Sequence, residues 1–132
     1  MSEPQEATGH VRILVVEDQM LIALEIEDIL THLGCTVIGP VGGVDSATQL
    51  ARTEQLDAAL LDVQLDGDEV FPVAEVLCER HIPFVFVTGT SEMGLPEKWR
   101  RCPRVAKPFV SSEIERLVRN FSAPDGLKRL SS

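Results

Sequence analysis

The sequence predicts an α/β fold in which a five-stranded parallel sheet is covered on both faces by helices. Three observations carry that reading. Short runs of β-forming apolar residues alternate with stretches of helical periodicity. Those runs are apolar almost throughout rather than on every second residue. Acidic, hydroxyl and basic residues stand where the runs stop. Near-continuous apolar strands separated by helices imply a parallel sheet buried on both faces. Right-handed crossovers then make it open and doubly wound.

The elements follow in order. Residues 11–16 (VRILVV) form the first strand, broken by Glu17 and Asp18. Residues 20–33 place Leu21, Leu24, Ile26, Ile29, Leu30 and Leu33 at helical spacing, and Gly34 stands just past the end, as expected for a helix C-terminus. Residues 35–39 read as a short second strand, 41–43 as a loop and 45–53 as a helix. Residues 56–63 contain the third strand, with Asp62 at its end, and 64–68 are a polar loop containing Gly67. Helical periodicity resumes over 70–80, and 83–87 (PFVFV) is a buried-type fourth strand that stops at Thr88-Gly89-Thr90. Gly94 and Pro96 interrupt 91–101, so the fourth helix is expected to be short or irregular. Residues 104–106 make a short fifth strand before Lys107-Pro108-Phe109, and Ser111 or Ser112 can cap a last helix that runs to about Phe121. A flexible N-terminus over 1–10, one domain over 11–121 and a tail over 122–132 are expected.

Composition narrows the function classes. The 132 residues suffice for one domain with a real core but not for two. With 44% hydrophobic and 25% charged residues, the chain is of the soluble globular kind. No apolar run reaches the roughly 18 residues that span a bilayer, and residues 1–10 lack the apolar core of a signal peptide. A formal charge of −9, from 21 acidic against 12 basic residues, argues against a nucleic-acid surface. Cys35, Cys78 and Cys102 show no zinc spacing and read as small buried apolar residues, reduced in a cytoplasmic protein.

In open α/β sheets, ligands bind beyond the strand C-terminal ends, where the strand order reverses. If the strands take the flavodoxin-like order 2-1-3-4-5, the first and third are neighbours at that point, and Glu17, Asp18 and Asp62 converge there. Carboxylates packed so closely raise one another's pKa unless a cation sits among them. Mg²⁺, with Mn²⁺ as the substitute, suits oxygen ligands of this kind. The same strand ends offer the parts for phosphoryl transfer. An aspartate can form an acyl phosphate, Lys107 supplies a fixed positive charge, and Thr88 supplies a hydroxyl donor. Backbone N–H groups near Val63 and Gly89 could complete the cradle, with Gly89 leaving room beside the site.

Glu17-Asp18 after ILVV, Asp62 after AALL, Thr88-Gly89 after FVFV and Lys107-Pro108-Phe109 together resemble the response-regulator receiver family, over residues 11–121. Taken singly, each motif has an ordinary reading: a helix-capping acidic pair, an Asx turn, a strand-end hydroxyl, a surface turn. Four strand ends would all have to imitate one site for those readings to hold. The resemblance implies that Asp62 is the phosphoacceptor and that Glu17 and Asp18 bind Mg²⁺ with Asp62. It implies that the backbone carbonyl of Gln64 completes the metal site, that Thr88 senses the phosphoryl group and that Lys107 is its cationic partner. It also implies a cis Lys107–Pro108 bond.

Two features depart from the family pattern. The position three before the lysine, commonly an aromatic that rotates inward on activation, is Arg104, and the proline usual after the phosphoacceptor loop is replaced by Leu65-Asp66-Gly67-Asp68. With PFVFVTGT and the weak fourth helix, the chain resembles the single-domain "FAT GUY" regulators of alphaproteobacteria. Some of these work with HWE-type or related histidine kinases in general stress signalling. The expected function is a stand-alone response regulator and not an enzyme acting on other substrates. Its donor would be a histidine kinase or phosphotransfer protein, and its output protein contact or phosphate draining, as a monomer or weak dimer. A receiver-like module independent of phosphorylation is the alternative. An aspartyl-phosphate phosphatase would need an aspartate where Gln64 stands, and a nucleotide carrier would need a Gly-rich loop after the first strand.

Overall fold

The structure, a computed structural model, describes residues 11–65, 67–89 and 95–122. The expected flexible N-terminus, nearly all of the expected tail and the first part of the weak fourth helix lie outside the described residues. Apolar strand runs give β1 (Arg12–Val16), β2 (Thr36–Val41), β3 (Ala58–Asp62), β6 (Phe84–Thr88) and β7 (Arg104–Ala106). These form one parallel sheet in the order β2-β1-β3-β6-β7, the predicted order for five sheet strands. Two further strands, β4 (Gln64–Leu65) and β5 (Asp68–Glu69), pair antiparallel as a small hairpin in the segment read as a loop. Two-residue strands have too little length to show a period.

Side chains on successive strand residues point to opposite faces, and this splits the core. Leu14, Val16, Ala59, Leu61 and Phe86 pack under α2 (Val44–Thr53) and α3 (Phe71–Glu79). Ile13, Val15, Leu60, Val85 and Val87 pack under α1 (Met20–His32) and α4 (Ser111–Ser122). The register between β1 and β2 shifts by one residue at a bulge opposite Leu14–Val16, where Leu14 pairs with Ile38 and Val16 with Val41. At that bulge Gly39 has φ +96°, and a Cβ there would lie 2.9 Å from Val41 N and 3.0 Å from Val15 O, so only glycine fits.

Several expectations are corrected. The buried stripe of α1 is Ala23, Ile26 and Leu30, while Leu21 and Leu24 face solvent. The helix is apolar on much of its circumference, and an alanine marks the sheet-facing side better than the leucines do. The fourth helix is short, as expected: among the described residues it is a 3₁₀ turn, Glu97–Trp99. Trp99 on this turn is buried. It stacks on Phe71 at 5.8 Å between ring centres and meets Phe84 and Phe86 edge-on at 6.0 and 6.1 Å. Neither Ser111 nor Ser112 caps α4. The Glu113 carboxylate accepts from the Val110 N–H at 3.0 Å, the glutamate half of a capping box. Cys78 is exposed rather than buried.

Trp99→Ala is expected to cost about 3–5 kcal/mol through the cavity left among the aromatic rings. Leu21→Ala is expected to change stability by less than about 0.5 kcal/mol. Urea unfolding followed by circular dichroism checks both.

Candidate metal and phosphoacceptor site

The C-terminal ends of β1 and β3 lie side by side at the point where the strand order reverses, and the chain's acidic residues meet there. β1 delivers Glu17, whose N–H donates to Val41 O at 2.9 Å and so ties the strand end to β2. Asp18 follows, exposed at the mouth. β3 delivers Asp62, which is buried. Ligand oxygens of Glu17, Asp18 and Asp62 all lie within 4.8 Å of one another.

From the other side, Lys107 reaches in just past β7. Its Nζ is 2.9 Å from Glu17 Oε1 and 3.4 Å from Asp62 Oδ2. Its N–H donates to Thr88 O at 3.0 Å, which pins the lysine backbone to the end of β6. The Lys107–Pro108 bond is cis. Thr88 is buried one residue beyond Val87, the register partner of Asp62.

Electrostatics sets the character of the site. Burial, the Glu17 hydrogen bond and the Glu17 charge push Asp62 up to about 7, against the pull of Lys107. Glu17 Oε2 accepts from the Gln19 N–H at 3.2 Å. Glu17 Oε1 is buried and, although Lys107 lies beside it, receives no well-directed hydrogen bond. A buried carboxylate oxygen with spare coordination capacity, next to two more carboxylates, fits a hard divalent cation.

Sequence reasoning therefore named the residues that come together: Glu17, Asp18, Asp62 and Lys107, with Thr88 on the adjoining strand. Gln64 opens the β4–β5 hairpin with its side chain exposed. Gly89 is less constrained than expected, since a Cβ there would meet nothing within 4 Å. Gly42 was missed. A Cβ on it would approach Asp18 Cα at 3.1 Å and Asp18 Cβ at 3.3 Å, so its bareness lets the loop after β2 close against the acidic pair. Its only signal was a pair of glycines before a helix. Arg104, at the usual aromatic position, donates through one guanidinium nitrogen to Arg100 O at 2.9 Å and Cys102 O at 3.4 Å.

Comparison with known proteins agrees with this geometry. No family model matches the chain. The solution structure of SdrG from Sphingomonas melonis Fr1 is 38% identical, with TM-score 0.74, and the match covers 91% of this chain and 98% of that one. This chain belongs to the response-regulator receiver family. The BeF3-activated conformation of SdrG also matches this receiver, at 41% identity and TM-score 0.70 over 82% of this chain and 92% of that one. The receiver domain of the sensor histidine kinase PA1611 from Pseudomonas aeruginosa PAO1, solved with magnesium in its active-site cleft, shares the fold. Its TM-score is 0.71 at 24% identity, over 85% of this chain and 97% of that one. The transcriptional regulatory protein PdtaR of Mycobacterium tuberculosis is 29% identical over 107 residues, 78% of this chain and 52% of PdtaR. The receiver thus spans about half the length of that curated relative.

Folded Asp62 holds its proton more tightly than an ordinary aspartate, whose value is 3.8. The metal-free receiver is therefore expected to lose stability as pH rises from about 4 to about 7, and to stay at the lower level above that. The loss amounts to about 2 kcal/mol once screening by solvent is allowed for. Mg²⁺ should recover it at pH 8 and do little at pH 5, and Asp62→Asn should flatten the dependence. Urea midpoints at both pH values, in chelator and in Mg²⁺, test this.

Proposed function

We propose that this receiver is a phosphorylation switch of two-component signalling, in which Asp62 takes a phosphoryl group from a histidine kinase or a phosphotransfer protein. The reading rests above all on one observation: three carboxylates within 4.8 Å of one another, with a lysine bridging two of them.

In this reading an Asp62 oxygen attacks phosphorus as the bond to the donor imidazole breaks, leaving an acyl phosphate on Asp62 and a neutral imidazole on the donor. Glu17, Asp18 and Asp62, with the main-chain carbonyl of Gln64, would hold Mg²⁺ or Mn²⁺. A bound cation neutralises charge on the phosphoryl oxygens. Lys107 supplies the second positive charge and favours the ionised form of Asp62. The Thr88 hydroxyl donates to a phosphoryl oxygen. The modification adds about −1.5 to −2 charge at the strand ends, and the segment from Thr88 to Phe109 carries the change to a protein partner or leaves it as stored phosphate.

The surroundings support a protein donor. Met20, Leu21 and Leu24 are exposed on the first turns of α1, beside a groove lined by Ile22, Glu25, Lys107, Pro108 and Phe109. This gives a partner helix an apolar landing next to Lys107. SdrG, a relative solved in a BeF3-activated conformation, supports a receiver that has an activated state. No helix among the described residues is long and apolar enough to cross a membrane.

Incubation with acetyl phosphate, followed by intact mass measurement, tests the proposal. One phosphoryl group is expected in Mg²⁺ and none in chelator. Asp62→Asn should abolish the adduct, while Thr88→Ala and Lys107→Ala should keep partial labelling. Full labelling of Asp62→Asn would overturn the assignment. Failure to label together with failure to bind Mg²⁺ would favour a module that works without phosphorylation.

A further inference from the structure

Glu17 and Asp18 leave the end of β1 with β3 on one side and β2 on the other. Asp62 stands on the β3 side. On the β2 side the pair meets Gly42 and Gly43, which join β2 to α2. That loop is held at both ends. Val41 O accepts from the Glu17 N–H at 2.9 Å. Gly43 O accepts from the Ala47 N–H at 3.0 Å and from the Ser46 hydroxyl at 3.2 Å, and Ala47 is packed in the core. A Cβ on Gly42 would lie 3.1 Å from Asp18 Cα, 3.3 Å from Asp18 Cβ and 3.6 Å from Glu17 O. Gly42 lacks the positive φ of Gly34, Gly39 and Gly67, so glycine is needed there for room and not for conformation. Gly43 differs from it: a Cβ there would meet only the Ser46 hydroxyl oxygen, at 3.5 Å, an ordinary contact.

We propose that Gly42 is a positioning residue of the metal site, a backstop that sets how far Asp18 stands from Asp62 and so favours Mg²⁺ over a larger divalent ion. This rests on the reading of Glu17, Asp18 and Asp62 as metal ligands. Their oxygens already lie within 4.8 Å of one another. With a methyl group at position 42, something must give by a few tenths of an ångström. The loop is tethered to Glu17 and to α2, whereas Asp18 is exposed, so Asp18 is the side that yields. Since β2 and β3 flank β1, the push runs from the loop toward Asp62. Mg²⁺ demands near-octahedral oxygens at about 2.0–2.1 Å, whereas Ca²⁺ accepts flexible coordination at about 2.3–2.6 Å. A displacement of that size therefore spoils a Mg²⁺ site more than a Ca²⁺ site.

Isothermal titration of the full chain with Mg²⁺ and with Ca²⁺ at pH 8 tests this, with urea midpoints in chelator as the check on folding. Gly42→Ala is expected to weaken Mg²⁺ binding about tenfold or more and Ca²⁺ binding by less, with a chelator midpoint near that of the unchanged chain. Gly43→Ala, one residue along the same loop, is expected to alter neither affinity. Unchanged Mg²⁺ affinity in Gly42→Ala, an equal loss for both ions, or an effect of the same size from Gly43→Ala would overturn the role of Gly42. So would unfolding of Gly42→Ala in chelator, which would assign residue 42 to the fold alone. No Mg²⁺ binding by the unchanged chain would instead overturn the metal site itself, and the role of Gly42 with it.

Discussion

Glu17 and Asp62 are two carboxylates taken out of water at adjoining strand ends, and Lys107 between them is what makes that arrangement tolerable. Buried like charges repel, and one of them yields by holding its proton, which is the direction seen for Asp62. Much of the architecture serves to impose this closeness. The order β2-β1-β3-β6-β7 makes β1 and β3 neighbours, the Glu17 N–H fixes one carboxylate to β2, and the Lys107 N–H fixes the lysine to β6. The electrostatic tension of this pocket is thus set by folding itself, before any ligand is bound.

The sheet and the site were legible in the sequence for related reasons. Strands buried on both faces must be apolar throughout, so they stand out from helices and loops, and a charged residue ending such a run marks a strand terminus facing solvent or ligand. Glu17, Asp62, Thr88 and Lys107 were found that way. Orientation about an axis was not legible. α1 carries apolar residues all round, so Leu21 and Leu24 looked like core until the sheet selected Ala23, Ile26 and Leu30. Gly42 was silent because its role is to lack a side chain beside Asp18, and the β4–β5 hairpin was silent because its strands are only two residues long.

The departures from the family pattern cluster on one side of the molecule. Where many receivers place a mobile aromatic, Arg104 holds carbonyls of its own loop. Where many place a fourth helix, a 3₁₀ turn among the described residues carries a buried tryptophan. A guanidinium bound to backbone carbonyls and a ring wedged among three phenylalanines replace a rotating side chain and a sliding helix.

Trp99 is the chain's single tryptophan. It sits on the segment between Thr88 and Lys107, face to face with Phe71 and beside Lys98, whose ammonium lies 5.0 Å from its ring centre. Indole emission responds to nearby charge and to solvent entry. The protein therefore contains its own optical probe on the segment that the proposed switch uses, and a stopped-flow trace on the unlabelled chain would report on that proposal directly.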